Sequence, residues 1–267
     1  MKPPFSWLSP VVAAAAIACG NTHALEVASA STSGSDFFSP SSVSAPDGVA
    51  FVEGFNGLAL PAGWSTVNLS TNNATGQPWS TGTAIVNAVG ETVVLPQEGA
   101  GFALVSYLSV GESAAGEINT WLFSPAILNI ANGDRFSFFT TTAPGSTYPD
   151  RLELRLNAAN TGTNVGATPV SVGDFSITLA SVNPTLAVGG YPETWTRITG
   201  TVSGLAAPVN GRVALRYFVT NGGFAGTNSN IIGVDSFVYA PIPEPATWAL
   251  ALMGLAGLAG WQRARSR

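Results

Sequence analysis

The chain has 267 residues, of which 9% are charged and 46% hydrophobic, and its formal net charge is −5. Its single cysteine, Cys19, and single histidine, His23, both fall within the first 24 residues. Once that segment is removed, no Cys–His or Ser–His–Asp relay, no zinc or copper site of the usual ligands and no disulfide can form.

Residues 1–24 have the composition of a signal peptide. Lys2 supplies positive charge, Val11 to Ala18 is an apolar run too short to span a membrane well, and Thr22-His23-Ala24 fits a small-x-small cleavage site. The mature chain then begins at Leu25. Ala16-Ile17-Ala18-Cys19 is also a weak lipobox, in which Cys19 would be lipidated and become the first residue. Residues 25–47 are rich in Ser, Thr and Pro without periodicity and read as a flexible leader. From Leu25 to Pro241 fourteen carboxylates stand against six arginines and no lysine, a net charge of −8. That balance argues against nucleic-acid binding and against docking on anionic lipid.

From residue 48 to 241 short apolar stretches recur, separated by Gly, Asn, Pro and Asp. In Asp150-Arg151-Leu152-Glu153-Leu154-Arg155-Leu156-Asn157 the leucines alternate with charged residues, so one face is buried and the other wet. Val213, Leu215, Tyr217 and Val219 share a face in the same way. Further strands are expected at 49–55, 83–89, 102–108, 135–141, 174–180, 195–202 and 231–239. Nothing between them carries a helical stripe. The pattern predicts an all-β domain over 48–241, a β-sandwich or jelly roll.

Phe51-Val52-Glu53-Gly54-Phe55-Asn56-Gly57 and Leu60-Pro61-Ala62-Gly63-Trp64 resemble the opening of the MAM-like jelly rolls, which include the cleaved-adhesin modules and choice-of-anchor J domains. Trp121-Leu122-Phe123-Ser124-Pro125, Asn132-Gly133-Asp134, Asp150-Arg151-Leu152, Trp195 and Ile232-Gly233-Val234-Asp235-Ser236-Phe237 follow in the same order. The stretch 158–183, rich in Gly, Thr and Asn, departs from it. The resemblance implies that the first and last strands lie together, bringing Glu53 near Asp235. It also implies that acidic side chains and backbone carbonyls there can hold a calcium ion, with Asp134 and Asp150 as further candidates. On the residues alone, Glu53 and Asp235 are equally readable as edge carboxylates satisfied by backbone N–H groups or an arginine.

Flat aromatic rings stack on sugars, and Trp79 and Tyr148, in Gly/Pro/Ser/Thr surroundings, are the expected exposed candidates for exopolysaccharide binding. Trp64 and Trp121 are expected in the core. Asp150 with Glu153, or Glu112 with Glu117, are the carboxylate pairs open to a hydrolase reading. Such pairs usually only solvate a β-face, and the expectation is a non-catalytic protein.

The tail, residues 242–267, has three parts in order: Pro243-Glu244-Pro245, an apolar run from Ala246 to Trp261, and Arg263, Arg265 and Arg267. As a transmembrane helix the 16-residue run 246–261 reaches roughly 24 Å, short of the ~30 Å hydrocarbon core, with Trp248 and Trp261 at the interfaces. The arrangement resembles the PEP-CTERM sorting signal of Gram-negative bacteria. That resemblance implies an exosortase as processing partner, with Pro243, Glu244 and Pro245 as its substrate positions. It further implies anchorage in the inner membrane before cleavage and transfer to the cell surface or extracellular matrix afterwards.

Overall fold

The computed structural model describes residues 51–87, 90–111 and 115–242, together with Met253 and Arg265. The expected signal peptide, the leader, Pro243, Glu244, Pro245 and the expected helix 246–261, apart from Met253, lie outside the described residues. Among the described residues no helix is long and apolar enough to cross a membrane.

In chain order the strands are β1 (Phe51–Glu53), β2 (Ser65–Asn68), β3 (Ser80–Gly82), β4 (Ile85–Val86), β5 (Thr92–Val94), β6 (Phe102–Ser106) and β7 (Gly116–Phe123). They continue as β8 (Ile127–Ile130), β9 (Arg135–Thr142), β10 (Leu152–Asn157), β11 (Ile177–Val182), β12 (Thr196–Thr201), β13 (Val209–Gly222) and β14 (Ile231–Ala240). One sheet runs β12-β9-β14-β6-β3, the other β11-β10-β13-β7-β2, and every pairing is antiparallel. The result is the all-β sandwich that the alternation predicts.

Period-two patterning fills the space between the sheets. Leu152, Leu154 and Leu156 of β10 and Val213, Leu215, Tyr217 and Val219 of β13 are all fully buried. They belong to one core cluster with Phe136 and Phe138 of β9 and Val234, Phe237 and Tyr239 of β14. Trp64 sits in the same core, edge-on to Phe55 and Phe237.

The outer face of the second sheet is not wet throughout. Residues 158–176 fold over it, so that Trp121 and Phe123 of β7 pack with Val165 and Phe175 in a separate cluster. Arg216 of β13 lies beneath the same segment, 2% exposed. Its guanidinium donates to Asn119 Oδ1, Glu153 Oε2 and the carbonyls of Val170 and Ser171, and stands 3.7 Å from the Phe218 ring centroid. Burial pulls the Arg216 pKa down to about 10, with Glu153 opposing the shift.

Asp150 is buried at the end of the sandwich where β14 begins, 1% exposed. It accepts from Tyr217 Oη at 2.5 Å, Thr142 Oγ1 at 2.8 Å and the Asn230 N–H at 2.7 Å. Glu153 lies on the other face of β10, 2.6 Å from Arg155 and 3.1 Å from Arg216. Asp150 and Glu153 therefore do not form the acid pair a hydrolase would use. Removing one donor from a buried carboxylate costs about 1–3 kcal/mol. Tyr217→Phe is expected to lower the unfolding free energy by about that amount, read as a reduced denaturant midpoint at unchanged slope.

Candidate functional site

The site starts from a change of partner along β14. Its first half pairs with β6 through Ile231–Val234, and its second half pairs with β1 through Phe237–Tyr239. Between them the register against β9 slips at Asp235 to Val238. This irregularity turns Asp235 under the loop 95–101 and leaves Glu53, at the end of β1, beside it.

The structure thus brings the two predicted carboxylates together. Asp235 is 0% and Glu53 8% exposed. Asp235 Oδ2 accepts the N–H groups of Gln97 and Glu98 at 2.9 and 3.1 Å, and Oδ1 accepts that of Ser236 at 2.6 Å. Glu53 Oε1 accepts the Phe55 N–H at 2.8 Å. Asn56, which carries no charge, caps the same loop by accepting from Ala100 and Gly101. Ser236 Oγ donates to Gln97 Oε1.

Backbone N–H groups do satisfy these carboxylates, as the residues alone allowed, but among the described residues no arginine pairs with them. Neither acid is in any salt bridge found among the described residues. Burial pushes the Glu53 pKa up, with the Asp235 charge adding to it, and burial likewise raises Asp235. Phe55 and Ser236, next to the two acids, both adopt left-handed backbone at φ 50°. Each such non-glycine residue costs on the order of 1–3 kcal/mol.

As a donor set the cluster is oxygen-only, which is what a hard divalent cation takes. Carboxylates alone do not complete it: among the described residues no three His, Cys, Asp or Glu side chains converge. Asp134 and Asp150 are committed elsewhere, Asp134 to Tyr239, Ala131 and Ile242. Remaining ligands would have to be Asn56 Oδ1, Gln97 Oε1, backbone carbonyls or water. Asn56 stood within the opening motif, but Gln97 lies in a loop with no distinguishing pattern and was not legible as part of the site.

Trp79 is a correction. Expected at the surface, it is 2% exposed, and its Nε1 donates to the Thr120 carbonyl at 3.2 Å. Its ring fills the core and offers no face to a sugar. Tyr148 is half-buried and lines a small crevice with Ser146, Tyr191 and Glu193. Glu117 is half-buried at the start of β7, and Glu112 lies outside the described residues.

The described stretch 115–242 ends in a clasp. Asp134 Oδ2 accepts from Tyr239 Oη at 2.7 Å, and Oδ1 accepts the Ile242 N–H at 3.0 Å. Gly133 stands so close to Ile242 that a Cβ added there would lie 2.6 Å from Ile242 Cδ1. Ile242 is the residue before Pro243-Glu244-Pro245.

Residues 241–267 match the family model of the PEP-CTERM protein-sorting motif. The chain is therefore a β-sandwich protein carrying a sorting signal, and the motif marks it as an exosortase-targeted surface protein. No curated protein matches it. In fold it is similar to the K1 cleaved adhesin domain of Lys-gingipain from Porphyromonas gingivalis W83, with 16% identity, a TM-score of 0.48, and coverage of 72% of this chain and 98% of that domain. The C-terminal family 22 carbohydrate-binding module of Clostridium thermocellum Xyn10B is similar at 11% identity and a TM-score of 0.41, over 74% of this chain and 96% of the module.

Proposed function

We propose that the chain is an exported protein, anchored by residues 246–261 until an exosortase cuts it, whose sandwich then serves as a structural or adhesive module on the cell surface or in the extracellular matrix. No catalytic step is assigned to it. The observation that carries this reading is the sorting motif itself, set immediately beyond the clasp that ends the folded domain. Proline on both sides of Glu244 keeps the tripeptide out of a helix and available to an enzyme cleft as extended chain.

Glu53 and Asp235 hold a calcium ion in this reading, joining β1, β14 and the 95–101 loop. Burial disfavours charge on two acids that have no basic partner among the described residues, a bound cation would offset that, and a surface protein meets calcium. A second reading, attachment to exopolysaccharide, keeps Tyr148 as its aromatic contact, because that ring is partly exposed beside the exposed Glu193.

Four measurements test these readings. Glu244→Ala is expected to leave full-length protein in the membrane fraction, while the parent chain is recovered cut near Pro243–Pro245; unchanged processing would overturn the sorting role. With divalent cations chelated, the raised folded pKa values of Glu53 and Asp235 stabilise the protein below their unfolded values. That contribution is lost as pH rises through the folded ones. Glu53→Gln flattens this slope. Calcium at about a hundred times its dissociation constant adds about 2.7 kcal/mol, several degrees of melting temperature in a domain of this size, and an unmoved melting temperature at neutral pH would sink the calcium site. Pull-down on an exopolysaccharide panel should lose signal with Tyr148→Ala if the second reading holds; retention by both proteins, or by neither, rejects that contact.

A further inference from the structure

The two ends of the sandwich differ in chemistry. The end from which the chain leaves is built by β8, the start of β9, the end of β10, the β12–β13 loop and the end of β14. Leu128 is 68% and Ile242 47% exposed there. Ala206, Ala207 and Pro208, the tip of the β12–β13 loop, are exposed as well. Beside Leu128 lies a shallow groove of about 590 Å³, with Ala158 and Val209 also in its lining and Asn160, Thr161 and Asn210 supplying amide and hydroxyl groups.

Free negative charge is scarce at this end. Of the carboxylates placed there among the described residues, Asp134 is buried inside the clasp and Asp174 is half-buried and accepts from the amides of Asn160 and Asn164. Arg135 is exposed. At the opposite end Glu193 is exposed and Asn221 and Asn228 border the β13–β14 turn.

The end is also rigid. The Asn132 amide donates to the Leu205 carbonyl at 2.7 Å and its Oδ1 accepts the Leu205 N–H at 2.9 Å, which ties the β12–β13 loop to the turn before β9. Asp134 fixes Ile242 in the same turn. From Ile242 to Ala246, the first residue of the apolar run, is four residues, at most about 14 Å of extended chain. If that run enters the bilayer, no stalk separates the exit end from the lipid.

We propose that the exit end of the sandwich, centred on Leu128, Ile242 and the β12–β13 loop, docks on the lipid surface while the tail is uncut. This rests on the reading that residues 246–261 enter the membrane. The net charge of the domain disfavours binding of lipid by the free sandwich, but the attached tail supplies the proximity, and the end that exposes Glu193 is turned away. Apolar tips with amide and hydroxyl neighbours suit the headgroup layer, where one side of a residue is dry and the other wet.

The test uses the full chain with Cys19→Ser, reconstituted in phosphatidylethanolamine–phosphatidylglycerol nanodiscs. Single cysteines at Leu128→Cys, Phe224→Cys and Ala251→Cys carry an environment-sensitive fluorophore, and nitroxide lipids act as quenchers. Leu128 and Phe224 are both exposed, so neither substitution threatens the fold. Expected is a blue-shifted Leu128 probe, quenched several-fold more by headgroup nitroxide than the Phe224 probe, with the Ala251 probe quenched by acyl-chain nitroxide. A Leu128 probe as solvent-like as the Phe224 probe, with Ala251 still quenched, overturns the docking and leaves the anchor intact. An unquenched Ala251 probe removes the membrane reading, and the docking with it.

Discussion

Three buried aspartates hold the last strand at its start, its middle and its end. Asp150 accepts the N–H of Asn230, the residue before β14. Asp235, within β14, accepts from Gln97 and Glu98. Asp134 accepts from Tyr239 and Ile242 as the strand finishes. Each joins segments remote in sequence, and hydrogen bonds to a carboxylate are roughly twice as strong as neutral ones. In a domain without cysteine these links do what disulfides do elsewhere, at the cost of desolvating charge. β14 is also the strand that pairs β1, β6 and β9. Loosening it would open the whole first sheet and release the exit point of the tail.

The second sheet solves a different problem. Its outer face carries Arg151, Glu153, Arg155 and Arg216, and a 19-residue segment, 158–176, covers part of it. Arg216 makes that cover specific, because its guanidinium reaches two carbonyls of the segment while also holding Asn119 and Glu153. Glu153 is held below the usual carboxylate range: burial alone would raise it, but Arg155 and Arg216 outweigh burial. Packing there is not free of cost. Trp121 Nε1, Glu117 Oε2 and Arg151 Nη2, all on this face, are buried without a hydrogen-bond partner among the described residues.

That cover explains what the sequence hid. β10 was legible because its leucines meet the core while the residues between them are only half-buried. β13 was legible too: the apolar set Val213, Leu215, Tyr217 and Val219 still alternates with Arg212, Arg216 and Thr220, although Arg216 is covered. β7 was not, since Asn119, Trp121 and Phe123 are buried on its outer face as fully as Leu122 on its inner one. Alternation is a signal only where one side stays wet. The same limit misplaced Trp79: Gly, Pro and Ser around it mark turns, yet a turn residue can still point into the core. Glu53 and Asp235 were found through the ordered motifs, which place the first strand against the last. The N–H donors that the 95–101 loop gives Asp235 were beyond reach, because backbone groups leave no trace in residue identity.

In the proposed reading the topology gives the two ends of the sandwich different tasks. Because antiparallel strands run the full length of the body, the loop that precedes β10, carrying Tyr148, the segment before β12, carrying Glu193, and the β13–β14 turn, carrying Phe224, all lie opposite the exit of the tail. Phe224, 40% exposed, stacks at a tilt on Tyr107 in that same region. An adhesive surface on a tethered domain is useful only where it faces away from the membrane. If residues 246–261 anchor the chain as proposed, the Asp134 clasp on Ile242 leaves only Pro243, Glu244 and Pro245 between the fold and the apolar run, which limits how far the sandwich can turn. Variation in the three far loops would then change what the module meets without touching the aspartates that hold β14, which is how one sandwich can be kept constant while its contacts differ.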